Sequence, residues 1–233
     1  MYRIFKSWTI LALVAVMVSL GGCKAMFNAK PIPGVPQPDE RLKQIGELGK
    51  NASNVPPEKQ VAYAQTLSTI IHEETDPTMR RAAVVAISNF KVPITEETLR
   101  FAGKDPERDV REAACAGWKT YGGELAVPEL IQILANESDL DIRHLAIDLL
   151  GELKDERAIV ALEVPLMDND PALQYYTMRS LRKITGEPEK TRDEWIAYCQ
   201  ARHPDTAVAQ RDEQETVEEP KSPFLNLGPM KKF

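Results

Sequence analysis

DPTMRRAAVVAI, residues 76–87, sets an acid, three residues, an arginine and then a run of small and apolar side chains in order. The same order returns in ERDVREAACAGW at 107–118, DLDIRHLAIDLL at 139–150 and, with an amide in the arginine's place, DPALQYYTMRSL at 170–181. Anchored on Arg80, Arg111, Arg143 and Gln174, the period is 31, 32 and 31 residues. Such a period is what helix pairs give when no pair can bury its apolar face alone and each must lean on the next. Laid over one another, the four segments form columns. Met79, Val110, Ile142 and Leu173 precede the anchor, and Ala83, Ala114, Ala146 and Thr177 stand three residues after it. Ile87, Trp118, Leu150 and Leu181 stand seven after it, and Phe90, Tyr121, Leu153 and Ile184 ten after it. These offsets fall on one face of a helix, so the columns predict a buried stripe.

Outward from the stripe, start signals mark the helices. Asp76-Pro77, Asp105-Pro106 and Asp170-Pro171 read as an N-cap acid followed by proline at the first helical position, with Asp139 opening the third segment. Each of these helices needs a partner upstream. Pro57 opens the first, with Val61, Ala64, Leu67, Ile70 and Ile71 as its stripe through to His72; shorter partners are expected around 97–103, 127–135 and 158–167. Leu42, Ile45 and Leu48 are spaced for a short amphipathic helix that caps the first pair. Beyond Gly186, Thr191 and Glu194 fit a capping box, and the helix they open turns Trp195, Ile196 and Cys199 to one side as a lid over the last pair.

The run Ala126-Val127-Pro128-Glu129-Leu130-Ile131, an acidic turn, then Asp-x-x-hydrophobic-Arg with alanine three residues on, resembles the HEAT-like repeats named after phycobilisome lyases. The resemblance covers about 57–186. It implies an all-α fold, an α-solenoid of about four helix-pair repeats with a C-terminal capping helix, within a folded region spanning 39–202. Arg80, Arg111 and Arg143 sit four residues after Asp76, Glu107 and Asp139, a spacing that lets acid and base meet along one helix or across neighbouring repeats. The family resemblance implies a structural ladder there.

The two ends have another composition. Arg3 and Lys6 precede an apolar run from Trp8 to Leu20. That run is shorter than the about 20 residues that cross a bilayer, so residues 1–22 read as a secretory signal and not as a membrane span. Leu20-Gly21-Gly22-Cys23 resembles the lipobox of bacterial lipoproteins, which implies cleavage before Cys23 and acylation of its thiol. Residues 23–38, with Pro31, Pro33, Pro36 and Pro38, follow as an extended tether. Processing would remove two cations and no acid, taking the formal charge from −6 to −8. At the other end, 203–233 read as a disordered acidic tail, with six acids against Arg211 between 205 and 219. Its segment 223–229, followed by Lys231 and Lys232, reads as a solvated terminus, a docking peptide being the alternative.

An acidic chain with no basic stripe repels phosphate backbones, so no nucleic acid partner is expected. His72, Glu73 and Glu74 lack a second histidine at zinc-helix spacing, and His144 and His203 lack ligand-spaced partners, so neither a metal nor another cofactor is expected. No nucleophile elbow, phosphate loop or dinucleotide fingerprint occurs. Cys115 and Cys199 are expected as unpaired, buried or partly buried thiols without redox function, since two repeats of stacked helices separate them by more than a disulfide spans. The candidate partner-binding surface is the face opposite the buried stripe. Arg81, Glu112, His144 and Tyr175 follow the anchors by one residue, Val85, Ala116, Asp148 and Arg179 by five, and Tyr175, Met178, Arg179 and Arg182 form an aromatic and arginine cluster at its end. The expectation is a non-enzymatic scaffold facing the periplasm of a bacterial cell envelope, held to the membrane through Cys23 and binding a protein or peptide. Lys24, where some inner-membrane lipoproteins carry aspartate, favours the outer membrane. The rival reading is an enzyme or accessory related to the bilin lyases that carry similar repeats.

Overall fold

The computed structural model describes residues 37–203. The signal, Cys23, nearly all of the tether and the tail beyond His203 lie outside the described residues. The chain divides into Met1–Gln44 and Ile45–Phe233. Of the first, the described part is the opening of helix α1 (Pro38–Lys50), which places Pro38 in a helix and not in the tether, with Asp39 and Glu40 at the positive end of the helix dipole. All that follows concerns the second unit.

Among the described residues the protein is all-α. After α1 come α2 (Pro57–Glu73), α3 (Pro77–Ile87), α4 (Pro93–Ala102), α5 (Arg108–Tyr121), α6 (Ala126–Asn136), α7 (Leu140–Leu153), α8 (Glu163–Leu166), α9 (Pro171–Thr185) and α10 (Arg192–Gln200), ten helices with no strand. They pack in sequence. From α2 to α7 each helix rests on its chain neighbour, as do α8 on α9 and α9 on α10; α3, α5, α7 and α9 also rest on one another in order, while α10 closes against α8 and α9.

The start signals explain most boundaries. Asp76, Asp139 and Asp170 are N-caps whose carboxylates accept backbone N–H groups of the first turn, and Pro77 and Pro171 occupy the first helical position. Thr191 and Glu194 form the expected capping box, the Thr191 N–H donating to Glu194 Oε2 at 2.7 Å. Gly186 ends α9 at φ 71°, a left-handed conformation that an L side chain resists. Four expectations are corrected. Asp105 is not an N-cap: α5 begins at Arg108 with Glu107 in the cap position, and Asp105 accepts from the Glu107 N–H at 2.9 Å. The partner helix expected from about 97 begins at Pro93, whose ring suits the first helical position. The helix expected over 158–167 is two short 3-10 turns and the four-residue α8, because Pro165 removes a backbone donor in its middle. Val61 is exposed, while Ala64, Leu67 and Ile71 carry the buried face of α2.

The columns are the core. Every residue of the first three columns is buried, from Met79 at 2% exposure through Trp118 at 1% to Leu181 at 0%. The fourth splits. Phe90 is buried because α3 stops at Ile87, and the chain turns back with the Phe90 N–H donating to the Ile87 carbonyl at 2.9 Å. Tyr121, Leu153 and Ile184 still lie in their helices and are half-buried at the edge. Helices approach closely at Gly151, where an added Cβ would sit 2.9 Å from the Ser180 Cα and 2.7 Å from its Cβ. Helix α9 would have to move away from α7. Gly151→Ala is therefore expected to destabilise by about 1–3 kcal/mol in a urea melt, despite alanine's better helix propensity.

Candidate functional site

Charged side chains at the turns do the first work of positioning. Arg80 reaches forward from α3 to the turn before α5, its Nε and Nη2 each 2.8 Å from a carboxylate oxygen of Asp105. Its Nη1 reaches back to the Glu74 and Thr75 carbonyls at 3.1 and 3.0 Å. Arg111 repeats the geometry one period on, with Glu137 at 2.9 and 3.2 Å and the Asp105 and Pro106 carbonyls at 3.0 and 3.2 Å. Arg143 donates to Asp168 at 3.0 Å, and Gln174 keeps only the backward bond, to the Asp168 carbonyl at 2.6 Å. Of the two arrangements the spacing allows, the one across successive helix pairs forms. The acid four residues before each arginine caps or opens its helix, and the partner acid lies 25 or 26 residues ahead.

Each partner acid also organises its own turn. Glu137 accepts from the Ser138 and Asp139 N–H groups, and Asp168 from Asp170. Burial works against the charge on Asp105 and Glu137, but the arginines and backbone donors outweigh it and hold both carboxyls below the usual carboxylate range. Asp168 is held down by the Asp170 N–H and Arg143.

The row opposite the core is where the sequence predicted a partner surface. Arg81, Val85, Ala116 and Tyr175 are exposed; Glu112, His144, Asp148 and Arg179 are half-buried. The structure brings four of the named residues into one neighbourhood between α7 and α9. His144 lies 4.9 Å from the Tyr176 ring, Arg179 stacks over that ring at 4.8 Å and donates to Asp148 at 2.5 Å, and Tyr175 meets Tyr176 edge-on at 5.7 Å. The buried Nε2 of His144 and Nε of Arg179 have no hydrogen-bond partner among the described residues. Met178 is half-buried on α9, and Arg182 turns instead towards Glu189 at 3.8 Å. Arg81 and Glu112 belong to a different place, a hollow of about 280 Å³ at the starts of α3 and α5. Beside it Arg108 draws together Glu112 at 3.0 Å, Asp139 at 3.1 Å and Asp141 at 2.9 Å.

A larger feature was not foreseen. Helices α2 and α4 meet directly, with Thr98 Oγ1 donating to Ser68 Oγ at 2.9 Å and the His72 ring stacked on Phe101 at 4.0 Å. Between α4 and α6, by contrast, lies a groove of about 730 Å³. Trp118, the bulkiest member of its column, forms its floor, with Leu99 on one wall and Ile133 on the other. Arg100 spans it, donating to Glu129 at 2.6 Å with its guanidinium 5.6 Å above the Trp118 ring. The groove is within the size range of ligand pockets and is rimmed by Lys104, Gln132 and Asn136. The only sequence signal for it was a tryptophan in a column of isoleucine and leucine.

Cys115 and Cys199 are free and buried, and burial pushes their thiols up to about 12 and about 11, which keeps them protonated and unreactive. Among the described residues no three His, Cys, Asp or Glu side chains are placed to hold a metal ion, and no helix is long and apolar enough to cross a membrane. Compared with protein-family models and with curated proteins, the chain matches none.

Proposed function

We propose that this chain is a lipid-anchored, non-enzymatic interaction module of the bacterial cell envelope, an α-solenoid of HEAT-like repeats presented on a Pro-rich tether. The observation that carries the scaffold reading is the recurrence, at 31- and 32-residue steps, of the same buried columns together with the same forward arginine–acid pair. Repetition of this kind produces long ordered surfaces and uses its charged residues to set helix against helix. The anchor reading rests on Leu20-Gly21-Gly22-Cys23 behind a short apolar run. Several acyl chains, at about 0.8 kcal/mol per buried CH₂, hold a protein at a membrane where one chain does not.

The test is made on the processed N-terminus. Mass spectrometry of protein extracted from membranes should find Cys23 first and carrying acyl chains, and Cys23→Ser should leave uncleaved precursor or a soluble product. An unmodified mature N-terminus elsewhere in the chain would sink the anchor. Crosslinking from the membrane then identifies the protein partner, and a visible absorption band in the purified protein would favour the bilin-lyase reading instead.

A further inference from the structure

The helices that carry the columns lie on one another in a fixed register. The residue eight after one anchor meets the residue six after the next: an added Cβ at Gly117 would sit 3.4 Å from the Ser88 Cβ, and one at Gly151 would strike Ser180. The forward face of each helix is therefore the line one, four and eight residues after its anchor, since these offsets share one side of a helix. Val84, Cys115 and Ile147 hold the middle of that line on α3, α5 and α7, where another column helix follows, and each is 0% exposed. Met178 holds it on α9, where no further column helix follows among the described residues, and it is only half-buried. Helix α10 packs against α8 and α9 but leaves the line open, with Tyr175 59% exposed and the Arg182 side chain 54%.

We propose that this face of α9 docks an acidic amphipathic helix of a partner protein, which takes the place of the next column helix. The inference rests on the interaction-module reading and gives the partner its chemistry. Charge selects it. Helix α9 carries Arg179, Arg182 and Lys183 and no acid. Asp148 of α7 answers two of the three, Arg179 at 2.5 Å and Lys183 at 4.0 Å. Arg182 is left with Glu189 at 3.8 Å, an acid 87% exposed, and a pair so open to water holds it weakly. Two periods earlier the same position is Lys119, whose ammonium meets Glu152 on the helix that follows. A helix arriving on α9 completes this pattern when it brings a carboxylate to Arg182 and, one and two turns away, apolar side chains to Met178 and Tyr175. Tyrosine, methionine and arginine are the residue types enriched in protein interfaces, and an apolar helix face laid against such a surface is a common mode of recognition.

The probe is a labelled peptide of residues 139–154, the helix that brings Glu152 to Lys119, stapled because so short a helix does not hold its shape alone in water. It should bind the full chain with a Kd of about 0.1 mM, as a small interface allows, and slow hydrogen exchange at 173–185 and nowhere else. Tyr175→Ala should weaken binding about tenfold and Arg182→Glu about fivefold, while both variants keep the native urea midpoint because both side chains are exposed. The peptide carrying Glu152→Lys should lose affinity for the native chain and regain it on the Arg182→Glu chain, a rescue that general damage to the fold would not give. No binding at about 1 mM, binding indifferent to both variants, or protection elsewhere overturns the proposal. A full-chain dimer that Arg182→Glu dissolves assigns the face to a second copy and overturns it. So does probe binding that tightens tenfold when Glu213, Glu215, Glu218 and Glu219 are changed to lysine, which assigns the face to the chain's own tail. A membrane partner that crosslinks to the Arg182→Glu chain as well as to the native one overturns this proposal and leaves the interaction reading standing.

Discussion

Trp118→Ala is expected to lose about 3–5 kcal/mol of stability, the largest effect of any single truncation in the core columns. The side chain is 1% exposed, lies beneath Arg100 and meets the Tyr121 ring edge-on at 6.0 Å. Its loss would join the vacated space to the groove above it, so water could enter without the surroundings having to collapse. Glu112→Ala, six residues away on the same helix, is the control and should stay within about 0.5 kcal/mol of neutral. Glu112 touches Arg108 at 3.0 Å, but Arg108 keeps Asp139 and Asp141 when that contact goes. Paired urea melts decide the matter. Equal losses, or a larger one at Glu112, would mean that the buried and open faces of α5 are assigned the wrong way round.

Arg80→Ala is expected to cost a further about 3–5 kcal/mol, because it leaves the Asp105 carboxylate, only 4% exposed, without its counter-charge. The pH profile separates this from simple loss of packing. In the native chain Asp105 titrates below the usual range. Its contribution is then fully present above the unfolded value of about 4 and is lost as pH falls through the lower folded value. Without Arg80, burial is opposed only by the Glu107 N–H and the charge of Arg111, and the carboxyl's titration moves up. The variant should therefore be least stable near neutrality relative to the native chain, and the gap should close on acidification towards pH 3. Stability measured by denaturant between pH 3 and 7 checks this, and parallel profiles for the two proteins would refute it.

The buried columns were legible because both terms that set them are local: helical spacing puts offsets of three, four and seven on one side, and the period repeats the result four times. The capping box at Thr191 was legible for the same reason. Asp105 was misread because Asp105-Pro106 copies the dipeptide Asp76-Pro77 while sitting two residues earlier relative to its arginine; counted from the anchors, it belongs with Glu74, Glu137 and Asp168. The arginine partners could not be chosen from spacing, since an acid four residues back is as good a local candidate as one 25 ahead, and only the packing of successive helices brings the distant one near. The groove was illegible on other grounds. It is a space between helices, and its width depends on how far α4 and α6 are parted over Trp118, which no residue pattern states. Of the predicted surface, the cluster at His144, Asp148, Tyr175 and Arg179 holds together in space, while Arg81 and Glu112 line a separate hollow.

Gln174 occupies the fourth arginine position and keeps half of the arginine's task. It donates back to the Asp168 carbonyl, but 25 and 26 residues ahead stand Cys199 and Gln200, and neither is an acid. This bears on how such a gene can grow. A duplication of one whole period ahead of residue 174 carries each acid along with its own turn and leaves every pair intact, whereas a single-residue insertion in α4 or α6 pulls an acid out of reach of an arginine already in place. Lengthening beyond 174 demands two changes at once, an arginine for the amide and a new acid downstream. Recombination can therefore add units to the middle of this protein far more readily than to its end, and one glutamine is the terminator.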